Sequence, residues 1–108
     1  MSREFAEHVV DLLQAMGPVD ARSMFGGYGI FLDGLMFGLI ADEVLYLKVD
    51  EENRPEFEEL GLGAFVYEGK NRPVTMSYRE APLEALDDAD LLSRWGARAH
   101  AAARRVKG

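Results

Sequence analysis

The stretch YGIFLDGLMFGLIADEVLYLKV, residues 28–49, decides the fold. It holds three apolar runs of strand length, 28–32, 35–41 and 44–49, separated by Asp33-Gly34 and Asp42-Glu43. Asp33-Gly34 is a strong two-residue hairpin signal, because the central residues of such turns take positive φ and Asp and Gly tolerate it, and Asp42-Glu43 turns the chain into the next run. Three consecutive antiparallel strands follow. The middle run is apolar at nearly every position. Simple alternation puts Leu35, Phe37 and Leu39 on one face and Met36 and Ile40 on the other. Such a strand sits centrally with both faces covered, one by a helix and the other by a second helix or a second copy of the chain.

Upstream, Phe5, Val9, Leu12, Leu13 and Met16 form the stripe of a helix over 3–16, with Ser2 as N-cap and Gly17-Pro18 as stop. Residues 21–25 make a first short strand ending at Gly26-Gly27. Downstream, Asp50, Glu51 and Glu52 open a short acidic helix that carries Phe57 and Leu60, admits Pro55 in its first turn and stops at Gly61. Phe65 and Tyr67 alternate with Val66 and Glu68. A turn at Gly69-Lys70-Asn71 leads to a half-buried strand in which Val74, Met76 and Tyr78 share a side, and Pro82 ends it. Asp87-Asp88 then open a last helix with Leu91, Trp95, Ala99, Ala102 and Val106 along one seam. The order α-β-β-β-β-α-β-β-α is an α+β fold, an antiparallel sheet flanked by helices.

The 108 residues suit one domain, and 48% hydrophobic content with no cysteine excludes disulfide scaffolds, thiol nucleophiles and cysteine metal sites. Arg3, Glu4, Glu7 and Asp11 break any signal-peptide core, and no run nears the ~20 apolar residues of a membrane span. A cytoplasmic protein without membrane partners is expected. Net charge is −7, but every acidic residue lies at or before Asp90, whereas Arg94, Arg98, Arg104, Arg105 and Lys107 all follow it. An acidic body repels phosphate backbones, so any nucleic-acid contact falls to that tail.

Catalytic inventory is thin. His8 has Glu4 and Asp11 one turn away, a set better read as an ordinary helix face than as a metal site. His100 lies toward the end of the last helix, where a cation suits the dipole. None of Ser2, Ser23, Ser77 and Ser93 stands in a G-x-S-x-G elbow. Gly26, Gly27 and Gly29 lack the spacing and following helix of a phosphate loop, and read as a bulge or tight strand crossing. No catalytic residue, metal or cofactor is expected, and hence no enzyme. Arg94, Arg98 and Arg105 form a second stripe on the last helix. They are candidate contacts for a partner or for phosphate, set against plain complementation of the macrodipole.

Met24-Phe25-Gly26-Gly27-Tyr28-Gly29, then Leu45-Tyr46-Leu47-Lys48-Val49-Asp50, Met76-Ser77-Tyr78 with Pro82, and Trp95 before an alanine-rich basic helix resemble the N-terminal domain of the TfoX/Sxy family. The resemblance covers essentially all of 1–108 and implies a helix-flanked antiparallel sheet. It also implies a link to regulators of DNA-transformation competence, and it brings no catalytic residues. Met24, Phe25, Gly26, Gly27, Gly29, Tyr46, Lys48, Tyr78 and Trp95 enter as motif residues of structural weight. The expectation is a non-enzymatic regulatory or accessory module acting through protein contacts, as a homodimer. The alternative is weak nucleic-acid binding by the basic last helix.

Overall fold

A computed structural model describes residues 3–24 and 26–107. Ser2, the expected N-cap, and Phe25 lie outside the described residues. Six strands form one antiparallel sheet: β1 (Asp20–Met24), β2 (Gly27–Leu32), β3 (Leu35–Ala41), β4 (Val44–Lys48), β5 (Ala64–Glu68) and β6 (Pro73–Glu80), in the order β1-β2-β3-β4-β6-β5. The fold is α+β, as expected. Both tight turns have the geometry that hairpins select, with φ of 56° and 74° at Asp33 and Gly34 and 51° and 64° at Asp42 and Glu43.

Helix α1 (Arg3–Leu12) runs into a 3-10 turn, Gln14–Met16, and stops at Gly17, whose φ is 131°. The second helix is shorter than its acidic run suggests: α2 (Arg54–Glu59) leaves Asp50, Glu51 and Glu52 in the preceding turn. Pro55 sits in its first turn, as expected. A 3-10 segment, Leu83–Asp87, precedes α3 (Ala89–Lys107), where the Leu91 amide donates to the Asp88 carboxylate at 3.0 Å. The seam of α3 buries Leu92, Trp95, Gly96, Ala99, His100, Ala102 and Ala103. Val106, expected on that seam, is exposed, whereas Ala102 and Ala103 one turn earlier are buried.

Ala6 and Val9 of α1, Phe57 of α2, and Leu92, Trp95 and Ala99 of α3 join Ile30, Phe37, Ile40, Leu45 and Leu47 in one core cluster. The helices thus cover a single face of the sheet. Phe57 and Trp95 meet edge-on at 4.9 Å, and Phe37 meets the His100 ring edge-on at 5.6 Å. The His100 ring nitrogen Nε2 lies 3.0 Å from the Leu32 carbonyl oxygen, which satisfies a buried polar side chain.

The central strand departs from simple alternation. Pairing of β2 with β3 passes from Ile30 opposite Gly38 to Phe31 opposite Met36, so Phe37 is an extra residue in a bulge. The slip inverts the faces on either side of it. Leu35, Phe37 and Ile40 pack with the helix-side core, whereas Met36 and Leu39 line the opposite face. Leu39 therefore does not share a side with Phe37, nor does Ile40 with Met36, as alternation alone had it.

Strand β6 carries a related correction. Its expected buried side, Val74, Met76 and Tyr78, is largely exposed at Val74 and Met76, and only Tyr78 is buried. The apolar side of β6 points away from the helices.

Candidate functional site

The helix-free face is apolar. Met24 of β1, Met36 and Leu39 of β3, Phe65 and Tyr67 of β5 and Met76 and Tyr78 of β6 surround a hollow of about 510 Å³. Its shape follows from glycines on β2. An added Cβ at Gly29 would stand 2.8 Å from the Phe31 ring and 3.0 and 3.1 Å from the Met24 and Met36 sulfurs, so the missing side chain lets those neighbours close over β2. At Gly27 a Cβ would fall 2.1 Å from the Ile40 carbonyl oxygen, which makes this position one of close backbone approach. The glycine run thus serves sheet geometry, and Gly26 turns the chain at φ 77°.

Beside the hollow, β4 and β6 bring two distant motifs together. The Lys48 ammonium donates to the Ser77 hydroxyl at 2.5 Å and lies 5.2 Å from the centre of the Tyr78 ring. Burial lowers the Lys48 pKa, partly offset by Asp50. Burial also pushes the Tyr78 phenol up to about 12, so it stays protonated at physiological pH. The Tyr46 ring packs against Phe65 at 4.9 Å, and its phenol is raised by burial and then by the charges of Glu80 and Asp42.

The basic stripe of α3 lies elsewhere and is bound into the chain. Arg98 donates to Glu56 of α2 at 2.6 Å and stacks over Trp95 at 4.9 Å. Arg105 forks onto Asp50 through Nε at 2.5 Å and Nη2 at 2.9 Å, and its Nε lies 3.0 Å from Glu52. Arg94 is exposed. Asp50 also accepts from the Glu52 and Asn53 amides, and the side chain of buried Asn53 accepts from the Asp50 amide and donates to the Lys48 carbonyl. This knot fixes the end of β4 to α3.

The Arg105 hydrogen bond, with the two backbone amides, holds the Asp50 carboxyl at about 2, below its ordinary 3.8. A depressed carboxylate contributes stability above its unfolded pKa and loses it as pH falls through the folded one. Asp50→Asn should therefore melt below wild type at pH 6, and the gap should close between pH 4 and pH 2. A constant gap in thermal melts across that range would contradict the linkage.

Of the residues singled out in the sequence, Met24, Gly27, Gly29, Tyr46, Lys48 and Tyr78 come together at the open face, and Trp95 sits beneath the helices on the other side. Sequence reasoning missed Met36, Leu39, Phe65, Tyr67 and Met76 as lining residues. Their signal was present in the apolar alternation of each strand, which says that a side is apolar but not what covers it. The His8 ring nitrogen Nε2 lies 2.7 Å from the Leu86 carbonyl oxygen, and no group of three His, Asp or Glu side chains placed to hold a metal ion occurs among the described residues. Nor is any helix among them long and apolar enough to cross a membrane.

A family model described as the TfoX N-terminal domain matches residues 11–103. The chain is similar to the DNA transformation protein TfoX1 of Aliivibrio fischeri, 36% identical over 72 residues, covering 67% of this chain and 34% of that protein. It is also similar to the protein Sxy of Escherichia coli, 28% identical over 68 residues, covering 63% of this chain and 32% of that one. The match therefore spans about a third of the length of these relatives.

Proposed function

The chain belongs to the TfoX N-terminal domain family, and from that premise we propose that it is a regulatory module acting through protein contacts made by the open face of its sheet. The observation that carries this reading is the one-sided packing. Three helices cover one face, and the other exposes Tyr67, Val74 and Met76 around an apolar hollow. Large contiguous apolar patches on soluble proteins mark interaction sites, and exposed methionines and aromatics suit adaptable contact surfaces. The name of the Aliivibrio fischeri relative adds a role in DNA transformation to the proposal.

The partner we propose for the free protein is a second copy, packed face to face about a two-fold axis. Two sheets stacked ~10 Å apart interdigitate their inner side chains, and an isologous pair covers both open faces at once. Light scattering should report twice the chain mass at micromolar protein. Val74→Glu with Met76→Glu should return a monomer of unchanged circular dichroism, since both side chains lie outside the helix-side core. A wild-type monomer at near-millimolar concentration would end the self-association reading.

Nucleic-acid binding through α3 has weaker support. Arg98 and Arg105 already hold Glu56, Asp50 and Glu52, and a phosphate would have to displace those carboxylates.

A further inference from the structure

We propose that the hollow in the open face is a binding site for an uncharged, mostly apolar small molecule whose carbonyl oxygen accepts a hydrogen bond from the Tyr78 hydroxyl. At about 510 Å³ the hollow falls within the ~300–1,000 Å³ of small-molecule sites. No charged side chain lines it among the described residues. A charged ligand would lose its hydration there without a counter-ion, so the site selects a neutral one. Met24, Met36 and Met76 supply flexible, polarisable walls that suit an alkyl chain or an aromatic ring.

The polar group that points to a carbonyl is Tyr78. The residue is only 7% exposed and lines the hollow. No buried side-chain oxygen or nitrogen among the described residues is left unpartnered, so a hydroxyl bonded to no described residue has its free side on open space, and the space that Tyr78 lines is the hollow. The phenol keeps its proton, so it can donate to a carbonyl oxygen, which has no proton to give in return. Lys48 does not take this role: its ammonium is committed to Ser77 and to the face of the Tyr78 ring, and it is not among the lining residues.

The inference shares its surface with the proposed protein contact but does not depend on a partner. The test uses three matched probes, valerophenone, pentylbenzene and 4-pentylbenzoate, titrated by calorimetry or ligand-observed NMR against the full chain. Valerophenone should bind saturably at one site per chain, and the benzoate at least tenfold more weakly. Tyr78→Phe should weaken valerophenone about three- to tenfold, the range of a single hydrogen bond, and leave pentylbenzene unchanged. Leu39→Trp, which fills the hollow, should abolish binding of both while the far-ultraviolet circular dichroism stays native.

Three results would overturn the site: no saturable binding by wild type, equal binding by Leu39→Trp, or an equal effect of Tyr78→Phe on ketone and hydrocarbon. Light scattering on the same samples separates the two proposals. A dimer that binds no probe refutes this site alone, and a monomer that binds valerophenone refutes only the self-association.

Discussion

Gly27→Ala is expected to be among the most damaging single-methyl changes this chain can undergo. The added Cβ would lie 2.1 Å from the carbonyl oxygen of Ile40 and 3.3 Å from its carbonyl carbon. Both atoms are backbone of β3, locked by pairing to β2 on one side and β4 on the other. No rotamer change relieves such a contact. Strands β2 and β3 must part, in a domain whose total stability is of the order of 5–15 kcal/mol. Overpacking of a side-chain core costs ~1–3 kcal/mol, and a backbone clash in mid-sheet should reach or exceed the top of that range. Gly26→Ala is the comparator, since its Cβ meets nothing within 4 Å and only its φ of 77° resists. That penalty is about 1–2 kcal/mol. Gly29→Ala meets only the far parts of flexible side chains and should fall below Gly27→Ala. Urea or thermal unfolding of the three variants gives the ranking. An unchanged melt for Gly27→Ala would show that the glycine run is not there for backbone approach.

Much of the architecture was legible in the chain because local chemistry wrote it. Asp33-Gly34 specifies its turn, Gly17-Pro18 ends the first helical region, and Pro55 and Gly61 bracket the second; Glu43, at φ 64°, takes a turn conformation that its own residue type does not favour. What stayed hidden depends on distance. Asp50 and Arg105 are 55 residues apart, and no local pattern says that one will chelate the other. The same contact explains why the acidic run at 50–52 is a turn and not helix: the Asp50 carboxylate is occupied by the Glu52 and Asn53 amides and by Arg105. The open face was hidden for a different reason. Alternation in β6 correctly marks Val74, Met76 and Tyr78 as one side, but period two carries no information about which side the helices choose.

The bulge in β3 is the clearest failure of alternation, and it yields the last prediction. A strictly alternating strand places Phe37 and Leu39 together, so trimming either to Ala should have similar effects. The structure places them apart. Phe37 is 0% exposed, set edge-on to His100 and close to the position of Gly96 on α3, where a Cβ would stand 3.5 Å from its ring. Removing that ring leaves a closed void between sheet and helix, and the loss should be about 3–5 kcal/mol. Leu39 lines a hollow that is already open, so its truncation leaves no sealed void and forfeits only part of the transfer free energy, about 2 kcal/mol or less. In urea melts of equal slope, Phe37→Ala should lose most of the midpoint and Leu39→Ala a minor part of it. Equal losses would return Leu39 to the helix side. The hollow would then have no floor at β3, since the register shift at Phe37 is what turns both Met36 and Leu39 toward it.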